Sequence, residues 1–457
     1  MNLFSTIAAI STPYGTGGIS IIRISGSKAI EIADKIFKAS SKKKLADAES
    51  HTIHHGHIVS SEGKVLDEVL VTVMLSPRTY TGEDTVELNC HGGLFTTKRI
   101  LEEVLKAGAQ NASRGEFTKR AFLNGKTDLA RAEAVIDLIN SKTNLEQSIS
   151  VNHLGGRLSE KINSLRERLL TLIAHVQVLI DYPDEELEPL SDDEFLNELK
   201  EIKNEASKLL ATSEAGSLIK NGIATAIVGK PNVGKSSLLN LLSGKEKAIV
   251  TDIEGTTRDA IEECVSFGGV TLNLADTAGI RETDDKIEAI GVKISKEYIE
   301  KSKLIIYVAD AISGVDENDL EIIKRLKDKK CIALINKCDK AKLENEDILK
   351  ESFDRIIHFS AKTALGIEEL ESAIKEMFEI GEIENNSDII TNARHTDALI
   401  KAETALVSAI SSIEMGISPD TCFIDIEDAI SALGEIVGLT VSEEVVDKIF
   451  HSFCVGK

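Results

Sequence analysis

Gly229-Lys-Pro-Asn-Val-Gly-Lys235-Ser236 lies mid-chain and matches the pattern G-x-x-x-x-G-K-[ST] in full. The run before it, Ile223-Ala-Thr-Ala-Ile-Val228, is apolar and β-branched and reads as a buried strand; the run after it, Ser237-Leu-Leu-Asn-Leu-Leu242, reads as the start of a helix. A strand–loop–helix with this loop surrounds an anion with backbone N–H groups and a helix N-terminus. Lys235 is then expected to reach the outer phosphates of a nucleotide and Ser236 to meet Mg2+, with Asn232, Val233, Gly234 and Ser237 completing the loop's contacts.

That loop fixes the kind of domain around it. Residues 218–380 alternate strand and helix, with strands expected at Ile223–Val228, Ala260–Phe267, Val270–Ala275, Leu304–Ala309, Cys331–Ile335 and Ile356–Phe359. Phe267-Gly-Gly269 closes a hairpin, so the second and third strands are antiparallel and the rest parallel. The flanks differ. Residues 1–119 read as α+β, with strands at Gly18–Ile24, His51–His57, Val65–Leu75 and Thr85–Cys90 and a helix over Phe95–Ala107. Residues 120–217 and 381–457 keep helical spacing throughout, and Ser191-Asp-Asp-Glu194 has a capping-box pattern. The expected architecture is multidomain: an α+β N-terminal domain, a discontinuous all-α helical domain, and an α/β P-loop domain of the Ras-like kind inserted into it.

The chain has 457 residues, enough for about three domains. Its net charge of -22 argues against a non-specific nucleic-acid binder. The absence of Trp argues against extended base-stacking surfaces. Six cysteines without paired spacing suggest reduced thiols in a cytoplasmic protein, and no run is long and apolar enough for a membrane helix.

Further motifs follow in order. Asp276-Thr277-Ala278-Gly279 ends a strand, where a carboxylate can hold Mg2+ through water and the Gly279 N–H can face a γ-phosphate. Asn336-Lys337-Cys338-Asp339 also ends a strand, and Asp339 there can accept both the ring N–H and the exocyclic amine of guanine. A buried carboxylate left unpaired rejects the wrong base by roughly 10⁴-fold. Ser360-Ala361-Lys362 fits the loop that backs the guanine carbonyl. Together these point to GTP. Gly255-Thr256-Thr257 lies in a switch loop, and Thr257 is favoured to complete the Mg2+ shell. Where Ras-like enzymes carry a water-orienting Gln, this chain has Ile280. Another group must neutralise the developing charge, an effect worth roughly 10³–10⁵ when an arginine supplies it. Arg258, Arg281, Glu282, Asp284, Asp285 and Glu288 are nearby candidates, and local chemistry does not choose among them.

In order and wording these motifs resemble the tRNA-modifying GTPase family MnmE (TrmE). The resemblance extends to Ile7-Ala-Ala-Ile-Ser-Thr-Pro13, Gly17-Gly-Ile-Ser-Ile-Ile-Arg-Ile-Ser-Gly26, Pro77-Arg-Thr-Tyr-Thr-Gly-Glu-Asp84, Cys90-His-Gly-Gly93, Arg114-Gly-Glu-Phe-Thr118 and the terminal Cys454-Val-Gly-Lys457. It implies that paired G domains of a homodimer enclose the nucleotide with K+ in place of an arginine finger. Asn232 and the loop residues Thr251, Ile253 and Thr256 would coordinate that ion, and Glu288 would orient the attacking water. Backbone carbonyls suit K+ because they replace its hydration shell without adding charge.

The resemblance also implies a tetrahydrofolate derivative (formyl- or methylene-tetrahydrofolate) on the N-terminal domain, which would form a constitutive dimer. Arg23, Glu83, Lys126 and Lys457 would be its contacts, although Arg23 reads equally as a structural strand-end arginine. Cys454, near a terminus expected to be flexible and accessible, would take part in the modification. The implied partner is MnmG (GidA), an FAD protein that joins it in a heterotetramer or larger assembly. Together they would add an aminomethyl or carboxymethylaminomethyl group to carbon-5 of the wobble uridine of certain tRNAs. The alternative is a ribosome-assembly GTPase of the Era/Der type. Those proteins carry a typically basic RNA-binding domain after the G domain, where this chain has acidic helices and the terminal Cys-x-Gly-Lys.

Overall fold

The computed structural model describes residues 5–181, 191–245, 262–275, 299–326, 329–383 and 388–457. By contacts the chain divides into two compact units, Met1–Ile136 with Gly434–Lys457, and Asp137–Leu433.

The first unit is built on a seven-stranded sheet of order β3-β4-β5-β6-β2-β1-β7. Its strands are β1 (Ile7–Ile10), β2 (Ile19–Ser25), β3 (Phe37–Ala39), β4 (Thr52–Val59), β5 (Val65–Met74), β6 (Thr85–His91) and β7 (Gln110–Asn111). Period-two alternation decides which face is covered. Val69, Val71 and Val73 of β5 and Val86, Leu88 and Cys90 of β6 are buried, whereas Leu70 between them is exposed. Helices Ala29–Ile36 and Leu94–Lys106 cover that face with Ile32, Ala33, Ile36, Ile100 and Val104. The first of these helices went unread in the sequence, because two turns hold too few residues to show a helical period.

The C-terminal segment is part of this unit. Helix Glu443–His451 packs Val446 and Phe450, with Phe453 beyond it, against Leu129 and Ala132. The tail then runs back along the N-terminal segments. Arg114 pairs with Val455, the Gly115 N–H donates to the Cys454 carbonyl at 3.3 Å, and the Phe117 N–H donates to the Lys457 carbonyl at 3.2 Å. Ser11 Oγ donates to the Gly456 carbonyl at 3.0 Å. The expectation of a flexible terminus is therefore corrected. Cys454 is exposed, but its backbone is held on both sides.

The second unit carries a six-stranded sheet of order β13-β12-β11-β8-β10-β9. The strands are β8 (Ile223–Val228), β9 (Glu262–Phe267), β10 (Val270–Ala275), β11 (Leu304–Asp310), β12 (Lys330–Asn336) and β13 (Arg355–His358). As expected, β9 and β10 form an antiparallel hairpin through Gly268 and Gly269, with φ of 62° and 84°, and the other pairings are parallel. Both faces are buried. Ile227, Leu272, Leu274, Ile306 and Leu334 pack with Leu370 and Ile374 on one side, and Ile305, Tyr307, Ala333 and Ile335 pack with Ile323, Leu349 and Phe353 on the other.

Long helices complete this unit, among them Arg157–Asp181, Asp192–Ala211 and Ala393–Glu414. The capping box at Ser191 forms as expected, with the Glu194 N–H donating to Ser191 Oγ and the Ser191 N–H to Glu194 Oε2. Among the described residues no helix is long and apolar enough to cross a membrane.

Candidate functional site

β8 lies between β10 and β11, so the chain leaves the sheet to opposite sides around its C-terminal end. In open α/β sheets ligands bind at such a switch point. The loop after β8 turns through left-handed backbone at Asn232, with φ of 63°, and at Gly234, with φ of 105°. Only glycine fits at 234, because a Cβ would collide with the side-chain nitrogen of Asn336. Val233 is buried beneath the loop, whereas Asn232, Ser236 and Ser237 are exposed. Lys235 opens the following helix, Lys235–Lys245. Its ammonium folds back on the loop, donating to the carbonyls of Gly229 at 2.7 Å and Lys230 at 2.6 Å. Burial pulls its pKa below the usual lysine value. A phosphate in this loop would offer that half-buried cation an anion in place of two neutral carbonyls.

The base-reading candidates converge on the same edge. Asn336, ending β12, donates through Nδ2 to the Val233 carbonyl at 2.8 Å and accepts from the Ala361 N–H at 3.1 Å, so one side chain ties the phosphate loop to the loop after β13. Lys337, itself left-handed at φ of 64°, donates to the Asn232 carbonyl at 3.2 Å. Ser360 Oγ donates to Asp339 Oδ1 at 2.8 Å. Lys362 follows in that same loop. The geometry thus joins Asn232, Val233, Lys235, Asn336, Lys337, Asp339, Ser360 and Ala361 into one cleft edge.

Two groups beside it went unread in the sequence. Asp310, ending β11, holds Lys337 Nζ at 2.6 Å. Lys230 in the phosphate loop is paired with Asp316 and the buried Asp319. The strand-end position of Asp310 and the Asp-x-x-Asp capping pattern were visible signals, but their partners lie far away in sequence.

Comparison with known proteins gives full-length agreement. The sequence models described as "GTP-binding protein TrmE N-terminus" and "MnmE helical domain" match residues 6–126 and 129–454. The chain is 50% identical over 458 residues to the "tRNA modification GTPase MnmE" of Acetivibrio thermocellus, covering 99% of each. It is 47% identical over 460 residues to that of Clostridioides difficile, covering 100% of each. The chain belongs to the MnmE family of tRNA modification GTPases. A solved structure of Aquifex aeolicus Era bound to GDP.AlF4- is 32% identical over 40% of this chain and 65% of its own, with a TM-score of 0.28.

Two of the residues expected to contact folate, Arg23 and Lys457, share a place in the first unit. Arg23 Nε donates to Glu87 at 2.8 Å, and its guanidinium carbon is 5.7 and 5.6 Å from the ring centres of Tyr80 and Phe117. Burial, and then the neighbouring Arg23, pull the Lys457 ammonium below the usual lysine value. Arg23 and Lys457 thus place two cations near each other, with the rings of Tyr80 and Phe117 beside the first. Glu83 is engaged by Arg120 and Ser25, and Lys126 donates to the Pro77 carbonyl.

Several expected site residues lie outside the described residues: Thr251, Ile253, Thr256, Thr257, Asp276, Thr277, Ala278, Gly279 and Glu288, together with the open candidates Arg258, Arg281, Glu282, Asp284 and Asp285.

Proposed function

We propose that this chain hydrolyses GTP to GDP and phosphate and uses that cycle to drive modification of the wobble uridine of certain tRNAs. The observation that supports it most is the cleft edge joining Asn232, Asn336 and Asp339 in a chain about half identical to MnmE proteins over its whole length. Lys235 leaves the Gly229 and Lys230 carbonyls for the outer phosphates. Asp339, oriented by Ser360, accepts from the two N–H donors of guanine. The Gly279 N–H would face the γ-phosphate. Ser236, with Thr257, would hold Mg2+, which neutralises phosphate charge when bound. Asn232 and the carbonyls of Thr251, Ile253 and Thr256 would hold K+ in the place an arginine finger takes elsewhere. Ile280 has no polar group to orient water, so Glu288 positions the water that attacks the γ-phosphorus as the bond to GDP breaks.

The active form is a homodimer whose G domains pair across the nucleotide. Arg23 and Lys457 would hold the acidic tail of a tetrahydrofolate, which supplies the carbon. Glu83 and Lys126 would complete its contacts. FAD on the partner MnmG (GidA) supplies the electron chemistry. Cys454, on the anchored tail near Lys457, would take part in the modification of the uridine. The protein works in the cytoplasm.

The test is nucleoside mass spectrometry of bulk tRNA from a strain lacking this gene. Loss of the carbon-5 aminomethyl-type uridines, restored by the wild type and not by Cys454→Ser, is expected. Unaltered tRNA nucleosides would overturn the reading and favour the ribosome-assembly alternative. Equal hydrolysis in sodium and potassium would remove the K+ assignment.

A further inference from the structure

Lys235 holds the first turn of the phosphate loop through the Gly229 and Lys230 carbonyls. Once Lys235 turns to the phosphates, that staple is gone. The turn still has to keep Asn232 in its left-handed conformation, which costs a non-glycine residue free energy. Something else must hold it.

The Lys230 side chain is largely covered and lies 2.7 Å from Asp319 and 2.9 Å from Asp316. Asp316 is half exposed, so its pairing with Lys230 is screened. Asp319 is fully buried, at the start of helix Glu317–Lys324. One of its oxygens accepts from the Tyr307 hydroxyl at 2.8 Å, and the other from the Asp316 N–H at 3.0 Å and from Lys230. Burial, and then Asp319 itself, push the Tyr307 phenol pKa up, so it stays a donor. Tyr307 in turn stacks on Phe353 with ring centres 5.3 Å apart. The carboxylate is thus fixed by the core, and Lys230 is its partner from the phosphate loop.

We propose that Lys230 and Asp319 form a positioning pair that keeps the phosphate loop in its nucleotide-binding shape after Lys235 has moved to the phosphates. This rests on the guanine-nucleotide reading above. The pair touches neither base nor phosphate. It acts through the backbone between Gly229 and Asn232, so its loss weakens GTP and GDP alike.

The full-length protein would be titrated with fluorescent mant-GTP and mant-GDP, with thermal unfolding measured in the absence of nucleotide. Lys230→Met, which keeps the aliphatic stem, should raise both Kd values about tenfold, the weight of one charge-assisted bond. Its melting temperature should fall only modestly, because the buried Asp319 loses its cation but keeps the Tyr307 hydroxyl and the Asp316 N–H as donors. Lys230→Arg should recover most of the affinity. Asp319→Asn should weaken binding no less than Lys230→Met, and the double variant should be no worse than Asp319→Asn alone.

Wild-type affinity in Lys230→Met would overturn the pair. So would a loss of affinity matched by an equal loss of thermal stability, or failure of Lys230→Arg to recover binding. A wild-type protein that binds neither nucleotide would remove the guanine-nucleotide reading as well, whereas a wild type that binds beside an unimpaired Lys230→Met removes the pair alone.

Discussion

Thr271 Oγ1 donates to Glu146 Oε1 across 3.1 Å, and both residues are buried. The bond ties helix Asn144–Leu154 to β10, the strand that runs into Asp276. Glu146 also fastens the start of its own helix, its other oxygen accepting from the Lys142 N–H at 2.7 Å and its own N–H donating to the N-cap Thr143 Oγ1. Burial raises its carboxyl pKa, so removing a partner leaves a costly group behind. We predict that Glu146→Ala lowers stability by about 1–3 kcal/mol and Thr271→Val by about 1 kcal/mol, read from urea unfolding. Wild-type midpoints in both would contradict it.

Gly234→Ala should abolish guanine-nucleotide binding while the chain still folds. The added methyl meets Asn336, which bridges the two loops, and φ of 105° is unfavourable for any residue with a Cβ. Equilibrium binding of mant-GDP is the check, with circular dichroism to confirm folding.

Asp339→Asn should shift preference from GTP toward xanthosine triphosphate. The amide can donate where xanthine offers a carbonyl in place of the guanine amine, and Ser360 still fixes its position. Competition between the two nucleotides in a turnover assay reads the change. Unchanged preference would remove Asp339 from base reading.

His153 is buried, and its Nε2 has no hydrogen-bond partner among the described residues. Burial, and then His395, lower its pKa from 6.5 to about 4. The unfolded chain therefore binds a proton between those values that the folded chain does not, and folding stability falls as pH drops from 6.5 to about 4. This one group contributes a slope of up to about 1.4 kcal/mol per pH unit. His153→Phe should remove that part of the slope in denaturation measured across the window. An unchanged slope would show that His153 titrates normally.

Gly456→Val should unseat the terminal tail. A Cβ there would collide with the Ile10 carbonyl and approach Ser11 Cα to 2.9 Å, and φ is 94°. If Cys454 must be presented from an anchored tail, tRNA from cells carrying only this variant should lack the modified uridines. Retained modification would free Cys454 from that requirement.

Local chemistry made much of the site legible. The phosphate loop, the Asn336–Asp339 motif and the Ser360 loop each depend on a few adjacent residues whose backbone does the work, so spacing alone exposes them. The β9–β10 hairpin needs two glycines at positive φ, and the Ser191 capping box needs one Ser and one Glu three residues apart. The helix Ala29–Ile36 escaped because it is short. The supporting groups Asp310 and Asp319 escaped because an acidic residue near a strand end or helix start is ordinary until its lysine is seen beside it.

What the sequence alone determined was therefore whatever a short peptide decides for itself: left-handed turns at glycine, caps, the period of buried strands, and the loops that leave the strand ends. Tertiary structure decided which distant groups meet. It carried Gly434–Lys457 back onto the N-terminal unit, set Lys457 near Arg23, and joined Glu146 to Thr271 and Lys230 to Asp319. Such pairings follow from how sheets and helices bury their apolar faces. That packing brings residues hundreds of positions apart within hydrogen-bond reach, where a local pattern carries no trace of the partner.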